Sequence, residues 1–158
     1  LQRTVFIDRM RRSATADVAA TMGERLAAGE AVVLFAEGTT GDGTRILPLR
    51  SSLLGAAHEA LGPGEDGEVT IYPLTITYTG FHGMAGGRDE RTTLAWYGDT
   101  ELAPHLRTLL NMGAIDVELA WGPPISMGRK TSRKEATRLA QTAIRRARQE
   151  AVTGRRAS

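Results

Sequence analysis

One stretch of the sequence decides the fold interpretation, Ala31-Val32-Val33-Leu34-Phe35-Ala36-Glu37-Gly38-Thr39-Thr40. Its first five residues form a continuous apolar run of strand length, and such runs are typical of strands that helices cover on both sheet faces. A carboxylate and a glycine follow at once, and the polar, glycine-rich segment continues to Arg50. In layered α/β proteins, functional groups gather in loops at the carboxyl ends of strands. The residues alone leave two interpretations open: a functional loop, or a polar turn that closes a strand–helix unit.

Further strands and helices alternate on both sides of this stretch. Gly29 is a helix stop signal, Ser132 and Glu135 have the spacing of a capping box, and Pro73 indicates an edge or a bulge in its strand. The patterns predict strands at 4–7, 31–35, 69–79, 92–97 and 115–121, and helices at 14–28, 51–61, 102–110 and 132–152. This alternation predicts a single α/β domain over residues 1–158, with a layered mixed, mainly parallel sheet flanked by helices.

Composition narrows the class of protein. The chain has 158 residues, of which 41% are hydrophobic and 24% charged, as in ordinary soluble globular domains. No apolar run reaches the roughly 18 residues that a membrane-spanning helix needs. The sequence has no cysteine, which excludes disulfides and thiolate metal sites. We expect neither a metal nor a cofactor.

The charge is unevenly distributed along the chain. The segment from Arg129 to Ser158 carries 10 Lys or Arg and 2 Asp or Glu, a net +8. Because the whole chain carries +2, the remainder carries −6. A basic tail on an acidic body indicates an anionic neighbour, with a solvated helix face as the alternative. Aromatic residues make up only 5% and do not interleave with the basic run, so a membrane surface is favoured and nucleic acid is not expected.

Five short blocks follow one another along the chain: Phe6-Ile7-Asp8-Arg9, Phe35-Ala36-Glu37-Gly38-Thr39-Thr40, Leu47-Pro48-Leu49-Arg50, Ile71-Tyr72-Pro73-Leu74, and Trp121-Gly122-Pro123-Pro124-Ile125 followed by Arg133-Lys134-Glu135. In this order they resemble the blocks of the glycerophosphate acyltransferase superfamily, whose best-known members acylate lysophosphatidic acid. The resemblance implies a glycerol-3-phosphate acyltransferase-like fold. It also implies transfer of a fatty acyl group from an acyl-CoA or acyl carrier protein thioester to the hydroxyl of a lyso-lipid, in membrane lipid biosynthesis.

The resemblance implies a His-x-x-x-x-Asp block as well, whose histidine deprotonates the acceptor hydroxyl while the aspartate orients the imidazole. None of His58, His82 and His105 has an aspartate five residues later. The first residue is Leu1 and not methionine, so we expect the catalytic histidine and aspartate upstream of Leu1. The domain would then lack its N-terminal catalytic block, and no catalytic residue is assigned within this chain. The alternative is a non-catalytic relative that binds lipid or an anionic surface.

The residues that the resemblance assigns here are substrate-binding ones. Glu37 and Gly38 would shape the pocket, while Arg9 and the Thr39–Thr40 loop would face the acceptor head group. Arg50 would be a second anion contact. Two alternatives stay open: Arg9 as an ion-pair partner at a strand end, and Arg50 as a solvated loop residue.

The identity of residue 40 bears on the acceptor. Thr40 stands where the family usually has an arginine, and threonine cannot form arginine's bidentate pair with a phosphate. The run at 37–48 is similar to the lyso-ornithine-lipid acyltransferase branch, whose acceptor is a phosphorus-free aminolipid. Arg45 or Arg50 could replace the missing phosphate contact, so lysophosphatidate stays an alternative acceptor.

The last helix predicts how the chain meets its surroundings. Its apolar stripe consists mostly of alanines, which favours packing on its own domain over insertion into a bilayer. Arg145, Arg146 and Arg148 flank this stripe and could contact anionic lipid. We expect a location at the cytoplasmic face of the inner (plasma) membrane, peripheral or anchored through upstream residues. Core packing is expected for Trp96, Tyr97 and Trp121.

Overall fold

The structure is a computed structural model that describes residues 14–59 and 67–154. Its elements are α1 (Ala14–Ala27), α2 (Ser51–Glu59), β1 (Glu68–Ile71), β2 (Leu74–Phe81), β3 (Met84–Ala85), α3 (Arg88–Leu94), α4 (Leu102–Asn111), β4 (Ile115–Trp121), β5 (Ile125–Gly128) and α5 (Arg133–Thr153). The chain is therefore mixed α/β. In the part of the chain that these elements cover, no helix combines the length and the apolar character needed to cross a bilayer. The predicted strand at 4–7 lies outside the described residues.

The chain divides into two compact units. Unit 1 comprises Leu1–Gly38, Leu49–Ile71 and Pro124–Leu139, and unit 2 comprises Thr39–Pro48, Tyr72–Pro123 and Ala140–Ser158. The interpretation as a single domain stays a prediction.

Unit 1 joins two helices and a small sheet. Helix α1 ends as its sequence predicts, because Gly29 has φ 75° and the amides of Gly29 and Glu30 donate to the carbonyls of Leu26 and Arg25 at 3.0 and 2.9 Å. This is a Schellman cap, which satisfies carbonyls that the helix leaves unpaired. Strands β1 and β5 pair antiparallel, from Glu68 opposite Gly128 to Ile71 opposite Ile125. Met22, Leu54, Ile125 and Met127 supply buried apolar side chains.

Unit 2 contains an antiparallel sheet in the order β3-β2-β4. The β2–β4 ladder runs from Leu74 opposite Trp121 to Phe81 opposite Ile115, and its register shifts between Tyr78 and Gly80. The two faces differ in burial. Thr75 and Thr77 are buried on one face, whereas the cross-strand partners Ile76 and Leu119 on the other are 50% and 62% exposed.

Two expectations about burial are wrong. The apolar run at 31–35 forms no strand, and Val33 and Phe35 are 79% and 77% exposed. An apolar run becomes a buried strand only where neighbouring strands pair with it, and none of the strands in residues 14–59 and 67–154 does so. Trp96, Tyr97 and Trp121 are 46%, 37% and 67% exposed, so none of the three belongs to a core.

The sheet topology also differs from the prediction. Every pair formed by the described strands is antiparallel, so a mainly parallel sheet is not supported. The predicted strand at 69–79 is two strands in two sheets, interrupted at Tyr72–Pro73. Proline has no amide hydrogen to donate to a ladder, which explains a break at this position.

The predicted strand at 92–97 is also wrong, because α3 covers its first half. Asp89 and Glu90 occupy the first turn of this helix, where a carboxylate interacts favourably with the helix dipole. The hydroxyls of Thr92 and Thr93 donate to the carbonyls of Arg88 and Asp89 at 3.1 and 3.0 Å. Those bonds let two β-branched residues fit a helix.

The predicted helices are confirmed by the structure. The predicted helices at 14–28, 102–110 and 132–152 correspond to α1, α4 and α5, and α2 begins at the predicted Ser51. Strand β4 has the predicted bounds. At the start of α5, the amide of Lys134 donates to Oγ of Ser132 at 3.3 Å, as expected for an N-cap. Ala136 and Ala140 of its small apolar stripe are buried.

Candidate functional site

The segment Phe35–Gly38 is a tight turn in unit 1. The amide of Gly38 donates to the carbonyl of Phe35 at 3.1 Å, and Gly38 has φ 68°. A positive φ of this kind is strained for any residue with a Cβ, so the turn requires its glycine. Glu37, one of the two central residues of the turn, is half-buried. The backbone conformation alone therefore explains why a glycine occupies position 38, whether or not a ligand binds there.

Arg50 joins the two ends of the loop that follows this turn. Its amide donates to the carbonyl of Ala36 at 2.8 Å, and its carbonyl accepts from Leu53 in the first turn of α2 at 3.0 Å. Its side chain lies over the glycine, since a Cβ added to Gly38 would be 3.1 Å from both Cδ and Nε of Arg50. These hydrogen bonds hold the positively charged side chain of Arg50 beside the turn, where it remains exposed to solvent.

The structure brings together only part of the predicted substrate-binding set. Gly38 and Arg50 are in contact, and Glu37 directly precedes Gly38 in the chain. Thr39 and Thr40 are exposed and belong to unit 2. Arg9 lies outside the described residues, so its role stays a prediction.

The middle of the loop, in unit 2, folds around a carboxylate. The amide and the hydroxyl of Thr44 both donate to Oδ1 of Asp42, at 2.9 and 2.7 Å. These two hydrogen bonds hold the pKa of the Asp42 carboxyl below its ordinary value, and the charges of Arg45 and Arg88 lower it further. The carboxylate is therefore ionised at neutral pH, and the turn that it organises does not depend on protonation there.

Arg148 of α5 anchors the same part of the loop. Its Nη2 donates to the carbonyls of Gly43 and Thr44, at 2.9 and 2.8 Å. Burial lowers the pKa of Arg148 and the nearby Arg91 lowers it further, while Asp42 acts in the opposite direction. An arginine stays protonated in a protein nevertheless, so both bonds are charge-assisted.

Arg148 is the residue of the site that the sequence did not reveal. The helix pattern assigned it to a face that could contact lipid, whereas its guanidinium holds backbone carbonyls 104 and 105 positions away in the chain. Backbone carbonyls are common to all residues, so such a contact leaves no signal in the sequence.

Gly43 lies against a neighbouring helix. It has φ 74°, and a Cβ at this position would be 2.9 Å from the carbonyl oxygen of Arg91 and 3.2 Å from Cβ of Ala95. Arg91 is itself held, since its Nη1 donates to the carbonyl of Gly86 at 2.8 Å. The loop is therefore held in place at Gly43–Thr44, a few residues after the exposed Thr39–Thr40 in the chain.

The two histidines whose side chains are described have local partners. His105 Nε2 lies 3.2 Å from the carbonyl of Leu94, and the His82 ring packs against Gly113. Neither His82 nor His105 lies beside the Glu-Gly-Thr-Thr segment in the sequence. We assign no base to either of them.

Comparison with known proteins shows which proteins this chain is similar to. Residues 1–77 match the family model described as Acyltransferase. Two curated proteins, both named lyso-ornithine lipid O-acyltransferase, are 47% and 43% identical to this chain over 155 residues; they come from Brucella abortus and Rhizobium meliloti. The chain is therefore similar to proteins of the acyltransferase family. A third relative of the same name, from Rhodobacter capsulatus, is 32% identical over 143 residues.

The alignments cover nearly all of this chain but only part of each relative. The alignments cover 98% of this chain but 58% of the Brucella protein and 53% of the Rhizobium protein. The chain therefore spans about half the length of the curated relatives that it matches. No solved structure matches it. The segment matched by the family model includes Arg9, the Glu37–Thr40 block and Arg50, whereas Arg148 lies beyond it.

Proposed function

We propose that the full-length protein is an O-acyltransferase that moves a fatty acyl group from a thioester donor to the hydroxyl of lyso-ornithine lipid. One observation carries the proposal: 47% identity over 98% of the chain to a protein named lyso-ornithine lipid O-acyltransferase. The exposed Thr40, in the position of a usual arginine, supports the same acceptor. Lysophosphatidate is the second acceptor to be compared.

The turn and its arginine suit the head group of this acceptor. An ornithine head group carries a carboxylate and no phosphate. Arg50, exposed beside Gly38, can donate charge-assisted hydrogen bonds to a carboxylate. The neutral hydroxyls of Thr39 and Thr40 can bind polar groups without demanding a second negative charge. The negative charge of Glu37 would disfavour a doubly charged phosphate beside this turn.

The proposed reaction is a direct acyl transfer. A general base accepts the proton of the acceptor hydroxyl while the hydroxyl oxygen attacks the thioester carbonyl carbon. The carbon–sulfur bond then breaks, and the leaving sulfur takes the proton from the base, which releases the donor as a free thiol. The resemblance assigns the base to a His-x-x-x-x-Asp block, and residues 1–158 contain no such block. General-base assistance of this type contributes about 10²–10⁴-fold to a rate.

The donor, the location and the membrane contact belong to the proposal too. The donor is an acyl-CoA or acyl carrier protein thioester. Because the acceptor is a membrane lipid, we place the protein at the cytoplasmic face of the inner membrane. The basic segment from Arg129 onward supports that placement through its attraction to anionic head groups.

The test is an acyl-transfer assay with the purified full-length protein. Acyl-CoA and acyl carrier protein thioester are each supplied with lyso-ornithine lipid or with lysophosphatidate, and products are identified by mass spectrometry. We expect diacylated ornithine lipid as the main product. Transfer to neither acceptor, with either donor, would overturn the proposed activity, whereas transfer to lysophosphatidate alone would overturn the proposed acceptor.

Exchange of Thr40 for arginine should change the acceptor preference. The Thr40→Arg variant gains a bidentate phosphate partner, so kcat/KM for lysophosphatidate should rise about tenfold relative to that for lyso-ornithine lipid. Thr100→Arg is the matched control, since it adds the same charge at another exposed position of unit 2. A ratio that is equal in both variants would show that residue 40 does not contact the head group.

A further inference from the structure

A groove in unit 2 lies outside the residues assigned to the acceptor in the proposed reaction. Its volume is about 480 Å³, and Arg45, Arg145 and Arg148 line it together with Ile46 and Val152. This volume lies within the range of about 300–1,000 Å³ that small-molecule sites occupy. Its walls come from the loop that ends at Pro48 and from the second half of α5.

Arg45 and Arg145 of this groove differ in their ion pairing from Arg138 and Arg146 of α5. Arg138 and Arg146 are exposed and paired with Glu135 and Glu150, at 2.6 and 2.8 Å. Among the described residues, by contrast, neither Arg45 nor Arg145 forms an ion pair.

No carboxylate of the described chain lines the groove. Asp42 is near enough to Arg45 and Arg148 to interact with their charges, but it is not part of the lining. Its Oδ1 already accepts two hydrogen bonds from Thr44. Three guanidinium groups around one concavity, with no lining carboxylate to balance them, produce a positive potential that attracts anions.

Apolar contacts accompany this charge. Ile46 is half-buried and Val152 is 36% exposed, and both line the groove beside the arginines. A small inorganic anion would leave these side chains unused. An amphiphile with an anionic head and an apolar chain would contact both kinds of residue.

We propose that this groove is an anion-binding subsite for a phosphate ester attached to an apolar group. Arg45 and Arg145 bind the phosphate oxygens, and Ile46 and Val152 contact the adjoining apolar part. Arg148 holds the loop wall and adds to the positive potential. Two sources share this chemistry: the head group of an anionic phospholipid, and the phosphate-bearing carrier of a soluble acyl donor. The subsite does not depend on the proposed acyl transfer, because its occupancy can be measured without turnover.

Binding to the full-length protein in detergent provides the test. Dihexanoyl phosphatidylglycerol represents the lipid source and coenzyme A the soluble carrier, with affinity measured by calorimetry. Arg45→Gln and Arg145→Gln should each weaken binding of the preferred probe about fivefold, the effect of removing one cation near an anionic group. Arg45→Lys keeps the charge and should retain most of the affinity.

The matched control is Arg146→Gln, which removes a cation from the same helix that Glu150 already neutralises. A loss confined to the groove variants supports the subsite, and the probe that binds more tightly identifies its source. Equal losses in Arg146→Gln and Arg145→Gln would reduce the effect to overall charge and overturn the proposal. Absence of binding by both probes would overturn it as well, whether or not the protein transfers acyl groups.

Discussion

Replacement of Arg148 with methionine should destabilise the protein by about 2 kcal/mol, since hydrogen bonds from a charged donor are worth about 1.5–3 kcal/mol each. Two such bonds, to the carbonyls of Gly43 and Thr44, are lost. Relief of the repulsion from Arg91 and of the burial of the charge offsets part of that loss. Methionine keeps much of the length and apolar contact of the arginine stem, so the change isolates the guanidinium. Chemical denaturation of the full-length protein measures the effect.

Arg146→Met is the control for this experiment. It removes the same charge from the same helix, but Arg146 is an exposed partner of Glu150. Exposed pairs of this spacing contribute about 0.3–0.5 kcal/mol. Equal destabilisation by the two variants would mean that Arg148 does not anchor the loop.

Kinetics extend this test from the fold to the site. If the anchored segment positions Thr39 and Thr40, Arg148→Met should raise KM for the acceptor more than it lowers kcat. The KM for the donor should change less. Arg148→Lys, which retains a charged donor, should recover part of the acceptor affinity. A fall in kcat with an unchanged acceptor KM would assign Arg148 a role other than positioning this loop.

Gly43→Ala should destabilise the protein by about 3 kcal/mol. A left-handed backbone conformation costs a residue with a Cβ about 1–2 kcal/mol. At Gly43, with φ 74°, the added Cβ would also lie 2.9 Å from the carbonyl oxygen of Arg91. That oxygen is part of a helical backbone and cannot move as a flexible side chain can, so overpacking adds about 1–3 kcal/mol. Thermal or chemical unfolding measures the sum.

Gly98→Ala separates the two contributions. Gly98 has φ 63° in the same unit, and a Cβ there would have no atom within 4 Å. This variant therefore reports the conformational cost alone, about 1 kcal/mol. The difference between the two variants measures the contact between the loop and α3. Indistinguishable unfolding free energies would show that the loop moves away from Arg91 at no cost.

Local sequence patterns predicted most of the helices and the end of α1 correctly, because these depend on residues close together in the sequence. The α4 and α5 helices follow from their periodicity, and α1 ends at a glycine that only a left-handed C-cap requires. Strand β4 follows from alternation, which held even though Val117 and Leu119 on its apolar face are exposed. Periodicity reports that two faces differ, and it does not report which face is covered.

Two of the failed predictions depended on strand partners elsewhere in the chain, and one depended on local side-chain hydrogen bonds. The run at 31–35 has strand composition, but strand formation depends on partners that composition cannot name. Thr92 and Thr93 have high strand propensity, and helix α3 accommodates them through hydrogen bonds to its own carbonyls. The division of 69–79 between two sheets needed the pairing of β1 with β5 and of β2 with β4.

The candidate site shows the same limit. The block at Glu37–Thr40 was found through its resemblance, and the backbone need for Gly38 agrees with the glycine in that block. The sequence predicted that Arg50 belongs to the same loop region as Gly38, but it did not predict the contact between them. The anchor at Arg148 joins a side chain to backbone carbonyls more than a hundred positions away, where residue identity carries no information.

The hydrogen bond from Arg50 to Ala36 also bears on how this loop can evolve. It fixes the loop ends whatever residues lie between them. A change in loop length also has a small energetic effect, since each doubling of a flexible loop's length costs only about 0.6 kcal/mol. Thr39 and Thr40 are exposed, whereas Gly43 and Thr44 carry the anchored carbonyls. Mutations at the exposed positions can therefore spread by drift or selection without lowering stability below its threshold. Acceptor preference and foldability can diverge separately within one short loop.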